Sequence, residues 1–68
     1  DYSQAWYSLG NALVKRNQYK KAIAAYDKAV RYQPNYRDAI KARDWANRAL
    51  EAEKREQERG NRESGNRE

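Results

Sequence analysis

The sequence predicts an all-α protein in which two antiparallel helices form a hairpin and a long third helix follows. Two consecutive segments place apolar residues at steps of three and four, the spacing of an amphipathic helix. Only a few polar residues separate these segments, so the two helices must lie antiparallel. The single proline, Pro34, ends the second segment because it disfavours helical geometry at Gln33. With 68 residues, the chain allows one small domain with a thin core.

The first predicted helix covers about residues 3–16. Its apolar positions recur from Trp6 to Leu13, and either Asp1 or Ser3 is placed to cap the first turn. Asn17 follows the helix and tolerates the left-handed conformation with which many helices end. A short turn is therefore expected before the second helix, which covers about residues 20–33.

The third predicted helix covers about residues 36–58, with Asn35 available as its cap. Its apolar stripe is narrow and ends at Leu50, and the charged residues beyond it extend the helix by propensity and ion pairs rather than by packing. The domain is thus expected to span residues 1–59. Residues 60–68 repeat the motif GNRE, contain no hydrophobic residue, and are expected to form a disordered polar tail.

A recurring pattern of small, apolar and aromatic residues runs through the hairpin. It consists of Trp6, Leu9, Gly10, Leu13, Ala22, Tyr26 and Pro34 at fixed spacings. The pattern resembles the tetratricopeptide repeat, a helical hairpin of about 34 residues that stacks into α-solenoids, over about residues 3–36. Gly10 costs about 1 kcal/mol in helix propensity relative to alanine, so we expect it to mark the closest approach of the two helices, opposite Ala22. Four large residues are then expected in the core: Trp6, Leu9, Tyr19 and Tyr26.

A shift of one repeat length aligns the third helix with the first. The alignment pairs Ala5 with Ala39, Trp6 with Ile40 and Ala12 with Ala46, but places Arg43, Asp44 and Asn47 where Leu9, Gly10 and Leu13 stand. The polar replacements remove the face that a following helix would cover. The third helix therefore resembles the capping helix that closes such arrays with a polar outer surface.

Composition excludes most catalytic chemistry. The sequence contains neither cysteine nor histidine, which removes thiol nucleophiles, imidazole bases and the usual zinc ligands. We therefore expect no enzymatic activity, no metal and no cofactor. No apolar run approaches the ~20 residues of a membrane span, and no signal peptide is recognisable, so a soluble protein, cytoplasmic rather than secreted, is expected. The sequence lacks an initiator methionine, so we expect either a segment cut from a longer polypeptide or a processed chain.

The resemblance implies that the chain binds a protein or peptide in the concave groove between the first and third helices. The face of the first helix opposite the hairpin core is expected to line the groove, together with the matching face of the third. These residues are Gln4, Tyr7, Asn11, Val14 and Lys15 on the first helix, and Asp38, Lys41, Trp45 and Arg48 on the third.

Two features of this groove predict what it binds. Asn11 matches the asparagine with which chaperone-binding members of the family hold a terminal carboxylate, but Tyr7 replaces the lysine of that motif. Tyr7 and Trp45 instead predict an aromatic groove for an apolar or proline-containing segment, because aromatic side chains carry much of the energy of protein interfaces. The alternative is that Trp45 packs over the second helix as an ordinary core residue.

Two other functions stay open at this stage. One repeat and one helix fall short of the roughly three repeats that such stacks need, so the chain can instead be a homo-oligomer, such as a homodimer paired through Tyr36, Ile40 and Trp45 of the third helix. Nucleic-acid binding is less favoured. The net charge is +5 and the hairpin turn is basic, with Lys15, Arg16, Lys20 and Lys21, but its Tyr19 falls at a core position and leaves no ring for stacking.

Overall fold

The chain forms three helices and, within residues 1–66, no strand. The computed structural model describes the backbone of residues 1–66 and the side chains of residues 1–58. The helices are α1 (Tyr2–Lys15), α2 (Tyr19–Tyr32) and α3 (Arg37–Asn66). Both α1 and α3 pack on α2. This arrangement confirms the predicted all-α fold, a helical hairpin followed by a third helix.

The turn between α1 and α2 depends on Asn17, as predicted. Asn17 has a φ of 61°, in the left-handed region. Its N–H donates to the Val14 carbonyl and the N–H of Gln18 donates to the Leu13 carbonyl, each over 2.9 Å. These two bonds form the Schellman motif that satisfies the last carbonyls of a helix. The hairpin therefore closes with only residues 16–18 between its helices.

The link between α2 and α3 is extended at Gln33, which has φ −142° and ψ 91°. Pro34 disfavours the helical region at the residue before it and so favours this extended backbone. The Tyr36 carbonyl accepts the first bond of α3, from Ile40, so Asn35 lies in the preceding turn and is not the cap that the sequence predicted. The Ser3 hydroxyl lies 3.0 Å from the Gln33 side-chain oxygen and ties the start of α1 to the end of α2.

The core is built from small residues around one large ring. The fully buried apolar residues are Ala22, Ala25, Tyr26, Ala29, Ala39 and Ala46. A Cβ added to Gly10 would lie 2.6 Å from Cδ1 and 2.9 Å from Cζ of Tyr26, and closer still to Cε1. The space beside Gly10 is therefore filled by the Tyr26 ring, not by a close approach to Ala22 as the sequence predicted.

Three of the four large residues predicted for the core are only partly covered. Leu9 is 44% exposed, and Trp6 and Tyr19 are half-buried. The Lys28 ammonium lies 4.4 Å from the centre of the Trp6 ring. The core prediction is thus correct for Tyr26 alone. The physical reason is that α1 turns Ser3 and Gly10 inward, so Trp6 and Leu9 fall on the flank of the helix, where α2 gives partial cover at most.

The third helix is longer than predicted. It runs from Arg37 to Asn66, past the expected end near residue 58 and into the segment for which the sequence predicts disorder. Adding a residue to an existing helix costs far less than starting one, which offsets the low helix propensity of the glycines and asparagines in this segment. Residues 67 and 68 of the predicted tail lie outside the described residues. Within the described part, no helix is long and apolar enough to cross a membrane.

Candidate functional site

Tyr7 joins all three helical elements at the predicted groove. Its ring centre lies 5.8 Å from that of Tyr26 on α2 and 5.2 Å from that of Tyr36, which immediately precedes α3. Both pairs are tilted and fall in the distance range of favourable aromatic contacts. Tyr7 is half-buried. The three rings hold α1 against the start of α3. They also form an aromatic surface at this end of the predicted groove.

Asn11 is exposed, and its side chain is held in place by a hydrogen bond from a buried residue of α2. The Tyr26 hydroxyl donates to the Asn11 side-chain oxygen over 2.6 Å. Burial raises the pKa of Tyr26 above its usual value, and the neighbouring Tyr7 raises it further, so Tyr26 remains a donor at neutral pH. Its oxygen accepts this bond, and the amide nitrogen of the exposed side chain is still a donor. Asn11 can thus donate to a carbonyl or carboxylate in the groove.

The other α1 residues divide into two groups. Gln4 and Lys15 are exposed. Val14, like Tyr7, packs against the buried cluster of Ala22, Tyr26 and Ala46. The expectation that all five residues lie opposite the core is therefore wrong for Tyr7 and Val14. These two positions are four and eleven residues after the buried Ser3, which returns them to nearly the same side of a helix.

On α3 the predicted groove residues are all exposed: Asp38, Lys41, Trp45 and Arg48. Trp45 is 54% exposed. Its ring meets the Tyr19 ring edge-on, with 5.9 Å between centres, and the Tyr19 hydroxyl donates to the Asn17 side chain over 3.2 Å. The alternative of Trp45 as an ordinary core residue is therefore wrong. One edge of the ring is fixed and more than half of its surface is open.

Charge is distributed unevenly across the groove. No residue of α1 from Tyr2 to Val14 is charged, whereas α3 contributes one acidic and two basic side chains. Among the side chains that the structure describes, the one ion pair joins Arg43 to Asp27 over 2.6 Å. Arg43 lies two positions before Trp45, which places it on roughly the opposite side of α3. The charged residues of the groove are thus left to solvent or to a ligand.

Two contributors to this region are not evident from the sequence. Ser3 is buried and its hydroxyl lies 2.9 Å from the Asp1 carboxylate, which also caps α1. The available signal is the seven-residue step from Ser3 to Gly10, which places two small residues on one face. Tyr36 is expected at a dimer interface but packs on Tyr7. Among the described residues, no group of three or more acidic side chains is placed to hold a metal ion.

The comparison with protein families agrees with the geometry. The tetratricopeptide repeat model matches residues 3–36, which is half of the chain and covers α1, the turn, α2 and the link to α3. No curated protein and no solved structure gives a significant match. Repeats of this family generally mediate protein–protein interactions and are non-catalytic. On the extent of this match, the chain belongs to the tetratricopeptide repeat family.

Proposed function

We propose that this protein is a non-catalytic interaction module that binds an apolar or proline-containing segment of a partner protein in the groove between α1 and α3. The exposure of Trp45 carries the proposal, since a 54% open indole on a small domain is expensive to leave in water. Its contact with Tyr19 fixes the ring in place. A ring that is already ordered loses little conformational freedom when a partner covers it.

The opposite wall of the groove adds a polar donor and a second aromatic ring to the surface of Trp45. Asn11 occupies on α1 the repeat position that Trp45 occupies on α3. Asn11 offers an amide donor, and Tyr7 offers a ring held by two aromatic neighbours. A bound segment can therefore place apolar groups on Trp45 and Tyr7 while a backbone carbonyl accepts from Asn11.

An array of leucine- and proline-containing peptides tests the proposal, read by Trp45 fluorescence in a Trp6→Phe background. We expect bound peptides to shift the Trp45 emission to the blue. Trp45→Ala removes this probe, so its Kd is measured from the anisotropy of a fluorescein-labelled peptide and should be weaker by about tenfold or more, as expected for truncation of an interface tryptophan. Tyr32→Ala is the matched control, since Tyr32 is equally exposed but packs on Tyr2. Equal losses in both variants would contradict the groove.

Homo-oligomerisation through α3 is the second candidate, favoured by the same exposed Trp45. Tyr36 already packs on Tyr7, which leaves Trp45 and the half-buried Ile40 as the apolar surface for pairing. Light scattering after size exclusion, at two concentrations about tenfold apart, separates the candidates by mass action. A mass near twice 8.1 kDa that falls on dilution supports pairing. A constant monomer mass leaves the groove as the binding surface.

A further inference from the structure

A cleft outside the predicted groove lies where α3 passes the turn of the hairpin. Its volume is about 380 Å³, within the size range of ligand-binding pockets. One wall is the start of α2, with Tyr19, Lys20 and Lys21, and the other is the stretch of α3 from Leu50 to Gln57. The cleft therefore exists because α3 is longer than the hairpin on which it packs.

The lining of this cleft is basic. Lys20, Lys21 and Lys54 face one carboxylate, that of Glu53. Since Arg43–Asp27 is the ion pair found among residues 1–58, none of the three lysines is paired with a carboxylate there. The first turn of α2 adds unpaired N–H groups, because its N-cap, Gln18, makes no side-chain bond. The three lysine side chains and these N–H groups attract an anion.

The cleft adjoins the groove through one residue. Tyr19 lines the cleft and its ring also contacts Trp45. Lys54 lies nine residues after Trp45, on the opposite side of α3, so a peptide that covers Trp45 reaches the lysines several residues further along, past Tyr19. From this continuity we infer that the cleft is a subsite for an acidic side chain of the bound segment, so the preferred partner carries a glutamate or aspartate several residues before or after its apolar residue. This inference rests on the proposed function.

A carboxylate fits the cleft better than a nucleic acid does. Single strands are usually held by rings on which bases stack, and the Tyr19 ring is occupied by Trp45 while its hydroxyl is bonded to Asn17. Glu53 repels both kinds of anion, but it can accept a hydrogen bond from a peptide N–H, a donor that a phosphate chain lacks. The subsite is also distinct from Asn11 and Tyr7, which lie within the groove.

The test uses tetraglutamate with blocked ends, followed by the backbone amide shifts of Tyr19, Lys20 and Lys54. We expect saturable shifts and none with tetraglutamine. Lys20→Gln combined with Lys54→Gln should weaken the Kd about tenfold. Lys28→Gln combined with Arg31→Gln removes the same charge outside the cleft and should change it less than about twofold. All four side chains are exposed, so the fold is retained.

A second pair of variants changes the affinity in the opposite direction. Glu53→Gln removes the one acidic side chain of the cleft and should tighten tetraglutamate binding several-fold, whereas Glu51→Gln, which removes the same charge outside the lining, should not. The inference is overturned if no shift saturates, if the two double variants have equal effects, or if octathymidylate binds as tightly as tetraglutamate. Because tetraglutamate has no apolar residue, its failure does not test the groove, and failure of the peptide array does not test the cleft.

Discussion

α1 and α3 occupy equivalent positions in the repeat register, yet they pack on α2 through different faces. α1 turns inward Ser3, Tyr7, Gly10 and Val14. The corresponding positions one repeat later are Arg37, Lys41, Asp44 and Arg48, all of them exposed. α3 instead turns inward Ala39, Ala42 and Ala46, and their counterparts Ala5, Ser8 and Ala12 are exposed on α1.

This contrast shows that register and burial are separate properties of a repeat. The repeat step preserves the helix and its small residues, but whether a face is buried depends on which helix lies beside it. α1 is uncharged from Tyr2 to Val14, whereas α3 carries charge at every position that corresponds to the inner face of α1. Substitutions at matched positions of the two helices therefore test which face each helix uses.

The largest expected effect separates Ala46 from Ala12. Ala46 is fully buried against α2, so Ala46→Glu places an unpaired charge in the core and should cost about 3 kcal/mol or more. Small cores supply only about 3–5 kcal/mol in total, so this variant should be largely unfolded by circular dichroism. Ala12→Glu, on the exposed face, should change the free energy of unfolding by less than about 0.5 kcal/mol. Similar urea midpoints for both variants would show that α3 does not pack through Ala46.

The next effect separates Gly10 from Asp44, its counterpart on α3. Gly10→Ala drives a methyl group into the buried Tyr26 ring, whose hydroxyl is held by Asn11. Overpacking of this kind costs about 1–3 kcal/mol, against a gain in helix propensity of about 1 kcal/mol. We expect a net loss in urea unfolding experiments, whereas Asp44→Ala should lose nothing. A Gly10→Ala variant more stable than the wild type would refute the packing role of Gly10.

The same two positions show what a single sequence can predict. The motif spacing predicts the three helices, the Asn17 turn and the stop before Pro34, because these depend on local conformation. It also predicts that Gly10 fills a packing role, but it names Ala22 rather than Tyr26 as the neighbour. Helical spacing fixes a residue's angle around the helix axis, not the side chain that a second helix brings to it.

The same limit applies to the residues that the sequence assigns to the core and to the groove. The sequence assigns Leu9 to the core because its position is apolar in the repeat, yet Leu9 is exposed because within residues 1–66 no helix covers that flank of α1. The repeat spacing assigns Trp45 to the groove; Trp45 is exposed, and its role in binding stays a prediction. The cleft at Lys54 is not foreseeable from the sequence, since it depends on how far α3 continues beyond the hairpin.

A smaller effect is expected at high pH, where the free energy of unfolding should depend on Tyr26 at the α1–α2 interface. The pKa of Tyr26 is raised in the folded state from its ordinary value of 10.0. Above pH 10 the unfolded chain therefore loses this proton before the folded chain does, and stability falls until the folded pKa is passed, by at most about 1.4 kcal/mol per pH unit. Urea unfolding at several pH values above and below 10 measures the slope. Tyr26→Phe keeps the ring and should show a shallower slope, and an unchanged slope would assign the effect to other groups.

The smallest effect is expected at the α2–α3 interface, where the contribution of an ion pair to stability should depend on salt concentration. Arg43 pairs with Asp27 at the edge of this interface, where their side chains are 32% and 48% exposed. A pair this open contributes about 1 kcal/mol at most, so Arg43→Ala should lower stability slightly at low ionic strength. The difference should shrink in about 1 M salt, where charges are screened within about 3 Å. Arg48→Ala, which removes the same charge from the exposed face, should show neither change. If the loss in Arg43→Ala persists in salt, the arginine stabilises α3 through the packing of its aliphatic stem on α2, and both interfaces of α2 then depend on packing rather than on charge.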